Sequence, residues 1–386
     1  MDNFKFHAYT EMLFGKGEIK NLPEALSRHG KNVLLVYGGG SIKKNGIYDS
    51  IQNLLKDFNI VELSGVEPNP RIETVRKGVE LCKEHNIDVI LAVGGGSTID
   101  CSKVIAAGRY YDGDAWDIVL DSSKITNALP IVTVLTLAAT GSEMNKGAVI
   151  SNMETNEKLG TGAPCMAPQT SILDPEYLYT LPAIQTAAGT ADIMSHLFEN
   201  YFKKTTDAFV QDKIAEGLLE TCIKYAPIAL KDPKNYEARA NLMWASSLAL
   251  NGLTGSGKVG AWTCHPIEHE LSAHYDITHG VGLAILTPSW MRYILSEDTV
   301  DKFCEYAINV WHLPAKEDKF ALANEAIDAT ENFFKECGIP MTLREVGIDD
   351  SKFKEMAAAA VKHGNLKYAY VSLDEEDVYK ILGMCL

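Results

Sequence analysis

Up to Leu181-Pro182, short apolar runs alternate with segments of helical spacing. Val33–Tyr37 is one such run, followed by Gly38-Gly39-Gly40-Ser41 and helical spacing near 46–57. Ile60–Leu63 reads as a further strand and residues 71–85 as a helix. The first pattern then recurs: Asp88–Val93 is apolar, Gly94-Gly95-Gly96-Ser97 turns the chain, and a helix runs to about 107, before another buried strand at Ile131–Leu135. A repeated strand–turn–helix order predicts a parallel sheet with helices on both faces.

The pattern changes after Pro182. Residues 186–226, 236–252, 261–274, 283–296, 300–312, 318–337, 351–363 and 374–385 carry helical spacing, and few strand signals remain. The expected division is an α/β domain at 1–182 and an all-helical domain at 183–386. The glycine-rich segment Asn251–Gly260 interrupts the helical part just before its histidines. At the other end, Phe4–Phe14 is short, β-like and rich in aromatics. Such an edge strand pairs readily with another chain.

Composition narrows the function classes. The 386 residues carry a net charge of −15, which disfavours a broad nucleic-acid surface or an anionic membrane. Eight scattered cysteines without a CxxC pair indicate a reduced, cytoplasmic protein. No uncharged apolar stretch approaches the length of a membrane span, and the polar N-terminus does not read as a signal peptide.

Both glycine-rich turns follow an apolar strand, and neither is GxGxxG. Glycine lets the backbone approach a phosphate, and the free N–H groups of the next helix then face the anion. Gly94, Gly95, Gly96 and Ser97 lead directly into a helix carrying Asp100 and Lys103, a good seat for a pyrophosphate. Gly38, Gly39, Gly40 and Ser41 are followed by Lys43 and Lys44, which can hold a second phosphate. Each turn alone also reads as an ordinary connection; two in successive units favour a dinucleotide. Thr136, Thr140, Gly141 and Ser142 follow the strand at 131–135, where parallel sheets present their ligand loops.

Asp192 and His196 lie four apart on one helical face, and His265 and His269 repeat that spacing. His279 follows in Asp-Ile-Thr-His-Gly, whereas His274 falls on the opposite side of its helix from His265. A carboxylate with several imidazoles suits Zn²⁺ or Fe²⁺, with Ni²⁺ or Co²⁺ also able to bind. Pro266 requires either a helix start or a kink beside His265. Trp262, Met144, Phe198 and Trp244 are candidate pocket residues.

The combination GGGS-x-x-D-x-x-K at 94–103, T-G-S-E at 140–143, D-x-x-x-H at 192–196 and H-x-x-x-H-x9-H-G at 265–280 resembles the iron-containing alcohol dehydrogenases. Residues 37–46, 66–71 and 112–117 resemble its butanol dehydrogenase branch. The resemblance runs from about residue 5 to the C-terminus. It implies a dehydroquinate synthase-like fold, with a Rossmann-like N-terminal domain, a helical metal-binding domain and an active site in the cleft between them. It implies metal ligands at Asp192, His196, His265 and His279, with His269 near the substrate and not a ligand. It also places Asp100 and Lys103 beside the nicotinamide and its phosphates, and Lys158 near a ribose, and it implies a homodimer paired through Phe4–Phe14.

The expected reaction interconverts a small aldehyde and its alcohol by hydride transfer from a nicotinamide, with the metal as Lewis acid and His269 as proton relay. NAD-selective enzymes usually set an acidic side chain against the adenosine ribose. Here no carboxylate follows the first strand until Asp49, and Gly39 stands where NAD-preferring relatives commonly carry Asp. NADP(H) is therefore expected over NAD(H). Two other readings share the motifs: a dehydroquinate synthase-like cyclase, which needs a basic pocket, and a non-catalytic nucleotide- or metal-binding protein.

Overall fold

The computed structural model describes residues 1–386. Eight strands form: β1 (Glu11–Phe14), β2 (Asn32–Tyr37), β3 (Asn59–Ser64), β4 (Val89–Gly94), β5 (Ile131–Leu135), β6 (Gly147–Asn152), β7 (Glu157–Gly162) and β8 (Thr170–Leu173). The helices of the first half are α1 (Leu22–Ser27), α2 (Ser41–Lys44), α3 (Ile47–Leu54), α4 (Ile72–Glu84), α5 (Gly96–Gly108) and α6 (Ala115–Leu120). Those of the second are α7 (Ala183–Tyr201), α8 (Phe209–Lys231), α9 (Tyr236–Ala249), α10 (Cys264–Tyr275), α11 (His279–Ile294), α12 (Val300–Asn309), α13 (Lys319–Glu336), α14 (Phe353–Gly364) and α15 (Glu375–Met384).

The chain separates into two compact units. One comprises His7–Leu181 with Pro233–Asn251; the other comprises Met1–Phe6, Pro182–Asp232 and Gly252–Leu386. Where the sequence suggests a single boundary, two short segments therefore change sides. Helix α9 joins the sheet unit because Met243 packs with Ala92, Ile99 and Leu135, and Trp244 meets Phe14 edge-on at 5.8 Å.

In the sheet unit, six strands run in the order β1-β8-β5-β4-β2-β3, and every pairing is parallel. Strands β4 and β5 are buried at every position, as central strands covered on both faces must be. One face packs Leu34, Val36 and Ile90 against α4 and α5; the other packs Val33, Leu35 and Val89 against α1 and α3. The antiparallel hairpin of β6 and β7 has no counterpart in the sequence reading. Of the segment Phe4–Phe14, only Glu11–Phe14 forms a strand, lying at one edge of the sheet. The preceding residues take no regular structure, although Phe4, Phe6 and Tyr9 are exposed as an edge segment would have them.

In the helical unit, α7 is buried at every residue from Thr186 to Tyr201. A helix that is enclosed all round is a core helix, so any polar side chain on it must find a partner inside. Helices α8, α10 and α11 pack on it.

Candidate functional site

Asp192 and His196 sit mid-way along α7, 3% exposed each. Helix α10 brings His265 to them and α11 brings His279. Close approach of α11 to α7 depends on Gly280: a Cβ there would stand 2.0 Å from the carbonyl oxygen of Ala188. Pro266 lies third in α10, within the first turn, where its missing N–H is not needed. The helix therefore starts at this point and keeps the 265/269 register.

Nε2 of His196, His265 and His279 lie 3.5, 3.7 and 3.8 Å from Asp192 Oδ1. Asp192, His265 and His279 each offer a ligand atom within 4.8 Å of the others. The imidazoles of His196 and His265 stack at 4.6 Å. Asp192 Oδ1 and His265 Nε2 are buried with no hydrogen-bond partner in the protein. Buried polar atoms left this way are costly. A divalent cation among them would satisfy both, and the donor set of one carboxylate and three imidazoles suits one.

Electrostatics agree with that reading. Burial alone would raise Asp192, but His196, His265 and His279 outweigh it and hold the carboxyl well below the usual range. Burial pushes His196 down to about 3 despite Asp192. It also opposes protonation of His265, which contacts with Asp192 and Glu199 nevertheless raise to about 9. An ionised Asp192 and a neutral His196 are the forms that bind metal, and a cation would displace the proton that the two carboxylates hold on His265.

Two carboxylates beyond this set escape the sequence reading. Glu199 Oε1 lies 3.2 Å from His265 Nδ1, and Glu268 Oε2 contacts His279 Nδ1. Glu268 also accepts from Ser272 Oγ at 2.5 Å. The available signal was spacing, since Glu199 and Glu268 each stand three residues after a histidine, on neighbouring helical positions.

His269 is half-buried beside the group, its ring 6.4 Å from that of His265 and 5.7 Å from that of His279. His274 faces elsewhere, 4.0 Å from Glu270 and from Glu355. Of the four candidate pocket residues, only Trp262 adjoins the imidazoles, 4.7 Å from His265 and 5.7 Å from His196. Phe198 is core, packed on Phe202 and Tyr306, while Trp244 and Met144 belong to the sheet unit.

In the sheet unit, both glycine turns and the segment from Thr136 lie at the carboxyl ends of adjacent strands β2, β4 and β5. Parallel sheets bind their ligands there. Thr136 N–H donates to Gly94 O at 3.0 Å, and Thr140 lies against Gly96. Ser97 gives its hydroxyl to Pro68 O. Gly39, Ser41 and Lys43 are exposed. Lys43 Nζ stands 5.2 and 4.5 Å above the rings of Tyr37 and Tyr48, whose hydroxyls both donate to Glu62, at 2.7 and 2.6 Å. Contact with the Tyr37 hydroxyl raises Lys43. Reading residues in order missed Glu62, which arrives on the neighbouring strand.

Lys103 departs from its expected place at a phosphate. It is fully buried, and its ammonium donates to Ser142 Oγ (2.8 Å), Asn145 Oδ1 (3.0 Å) and Gly147 O (2.7 Å). All three N–H groups are spent on holding the segment 142–147. Asp100 supports the same segment, accepting from Ser142 Oγ at 2.5 Å and Val149 N–H at 2.9 Å. Lys158 is 5% exposed on β7, and its charge acts on Asp100.

Residues 240–295 offer one lysine and one arginine for the basic pocket that a cyclase needs, and both are committed elsewhere. Lys258 is buried against Asp212 and the Asn200 carbonyl, and Arg292 pairs with Asp328 and Glu331. No helix is long and apolar enough to cross a membrane.

Comparison with known proteins follows the same lines. Residues 10–175 match the model of the iron-containing alcohol dehydrogenases, and residues 186–386 that of the family's C-terminal domain. The chain is 59% identical to NADH-dependent butanol dehydrogenase A of Clostridium acetobutylicum, covering 99% of each. It is 42% identical to the NADPH-dependent aldehyde reductase YqhD of Escherichia coli, covering 94% of each. Among solved structures, E. coli YqhD superposes with a TM-score of 0.96 at 39% identity, over 100% of this chain and 99% of that one. The NADH-dependent butanol dehydrogenase A of Thermotoga maritima gives 0.95 at 40%, with the same coverage.

Proposed function

Because the chain belongs to the iron-containing alcohol dehydrogenase family, an oxidoreductase family that uses NAD(P)H and a divalent metal, we propose that it reduces small aliphatic aldehydes such as butanal. The reaction is RCHO + NAD(P)H + H⁺ ⇌ RCH₂OH + NAD(P)⁺. Convergence of three imidazole Nε2 atoms on the buried, unpartnered Asp192 Oδ1 carries this reading.

Asp192, His196, His265 and His279 are the proposed ligands, with Fe²⁺ or Zn²⁺ the first candidates. When bound, the metal supplies Lewis-acid polarisation of the carbonyl and the nicotinamide supplies hydride. His269 lies beside the cluster and is the candidate to deliver a ring-nitrogen proton to the alkoxide oxygen. The turns Gly38–Ser41 and Gly94–Ser97 hold the dinucleotide.

An NAD(P)H oxidation assay with butanal, run alongside metal analysis, tests this. Asp192→Ala should lose metal and activity together, and His274→Ala should keep both. His269→Ala should keep metal and lose turnover by about 10²–10⁴-fold. Full metal content and activity in Asp192→Ala would defeat the ligand assignment.

NADPH is the preferred cofactor in this reading. The relatives' names divide on the point, so the turn itself carries the argument. Gly39 and Ser41 are exposed, Lys43 is at hand, and both oxygens of Glu62 are taken by tyrosines and not offered to a ribose. A Cβ at Gly39 would meet nothing within 4 Å, so Gly39→Asp fits without strain. It should reverse the ratio of kcat/KM for NADPH over NADH; an unchanged ratio would remove this turn from cofactor choice.

Assembly as a homodimer through the edge strand β1 and the exposed Phe4, Phe6, Tyr9 and Phe14 belongs to the same proposal. A monomer in sedimentation at micromolar concentration would contradict it. Eight free cysteines suit a reducing cytoplasm.

A further inference from the structure

The stretch between Gly252 and Thr263 has no regular structure, yet it leads straight into the helix that bears His265. The end of helix α7 and the residues just after it strap it down. Asn200 Nδ2 donates to Thr254 Oγ1 at 3.2 Å, and Lys203 Nζ donates to the carbonyls of Gly260 (2.5 Å) and Ala261 (2.9 Å). Glu199 holds the end of the stretch. Its Oε2 accepts from Thr263 N–H at 2.8 Å, and its Oε1 accepts from His265 N–H at 3.0 Å. The same Oε1 lies 3.2 Å from His265 Nδ1.

Glu199 is 3% exposed, and burying a carboxylate is expensive unless donors surround it. Three N–H groups do so here, two of them at the start of α10, where backbone N–H groups have no partner inside the helix. A carboxylate only accepts, so the hydrogen it meets at His265 must sit on Nδ1. In the neutral ring, the form a metal binds, a hydrogen on Nδ1 leaves the lone pair on Nε2, the atom aimed at Asp192 Oδ1. His196 has no such support, since its Nδ1 is buried without a partner.

We infer that Glu199 is a positioning residue for the metal: it fixes the first turn of α10 and the tautomer of His265, so that metal affinity depends on a side chain offering no atom to the metal. The inference rests on the ligand reading proposed above. Carboxylates that orient ligating histidines affect metal affinity by about 10–100-fold.

Titration of the metal-stripped protein with Co²⁺, followed by visible absorption and by competition with a chelator, tests it. Glu199→Gln keeps the side-chain length, removes the charge and sets an NH₂ against either the Thr263 N–H or both His265 donors. It should weaken Co²⁺ binding by about 10–100-fold and alter the ligand-field bands. Lys203→Met cuts the strap one helical turn away without touching an imidazole, and it should keep affinity within about 3-fold, well short of that loss. Equal losses in the two variants would make the loop, and not the imidazole contact, the cause, and would overturn the inference. Wild-type affinity and bands in Glu199→Gln would do the same. Asp192→Ala separates the two readings: if it binds Co²⁺ like the wild type, the ligand assignment fails; if it does not bind while Glu199→Gln binds normally, only the present inference fails. Should Glu199→Gln not fold, the ¹⁵N spectrum of histidine-labelled, zinc-loaded wild type decides. Three imidazoles bound through Nε2 support the inference, and one bound through Nδ1 overturns it.

Discussion

The turns Gly38–Ser41 and Gly94–Ser97 have the same four residues, follow the same kind of strand and lie at the same end of the same sheet. Their surroundings differ completely. A Cβ at Gly39 or Gly40 would meet nothing within 4 Å, whereas one at Gly94 would stand 2.4 Å from Thr98 Oγ1 and one at Gly96 would stand 2.3 Å from Thr140 Oγ1. The lysines that follow diverge in the same way. Lys43 is exposed above two tyrosine rings, and Lys103 is sealed inside with all three N–H groups in use. Gly39 and Gly40 in the first turn leave room for something outside the protein, while Gly38 lies against the Val66 carbonyl. Those in the second are required by the protein's own packing, which draws the segment from Thr136 to Thr140 onto the turn. A glycine motif therefore records close approach without saying what approaches.

The sharpest way to break this contrast is to remove each lysine. Lys103→Met leaves Asp100 without its buried counter-charge and removes the ammonium from Ser142 Oγ, Asn145 Oδ1 and Gly147 O. It should cost about 3–5 kcal/mol in urea unfolding. Lys43→Met, at the surface, should leave the unfolding midpoint unchanged. Similar losses in both variants would mean that the lysines are not in different environments.

Lys103 also gives the contrast a pH signature. Burial pushes it down from 10.5 to about 8, against the pull of Asp100. Below pH 8 it is charged in both folded and unfolded chains, and the cost of burying that charge is fully present. Between about 8 and 10.5 the unfolded chain holds more protons, so stability should rise with pH, by roughly 1–3 kcal/mol. Lys203, His265 and the buried cysteines are shifted in the same range in both proteins, so the signature is the difference in measured unfolding: wild-type stability minus that of Lys103→Met should rise between about pH 8 and 10.5. Parallel curves would place Lys103 in water.

Alanine substitutions make the same comparison at the backbone. Gly96→Ala forces a methyl group against the β-branched Thr140, which has no flexible end to swing away, and should cost about 1–3 kcal/mol. Gly39→Ala meets open space, and its φ lies outside the left-handed region, so its stability should stay within about 0.5 kcal/mol or rise slightly. The smallest expected effect concerns Lys43. If it meets a phosphate, Lys43→Met should lower the NADPH-to-NADH ratio of kcat/KM several-fold, with stability unmoved. A ratio that does not move would leave Lys43 as a surface lysine stacked on tyrosines.

What the sequence determined by itself was whatever depends on residues close together in the chain. Apolar runs and their turns specified the parallel strands at 33–37, 89–93 and 131–135. The four-residue spacing placed Asp192 beside His196, and helical angle turned His274 away from His265. A combination of short motifs was enough to identify the family. Tertiary structure alone decided what comes from afar. Glu62 arrives on a neighbouring strand, α9 returns to the sheet unit, Lys103 is buried by the segment 142–147, and Glu199 reaches across 66 residues to His265. The physical reason is that hydrogen bonds and burial depend on distance in space, and periodicity along one element carries no record of which other element will lie against it.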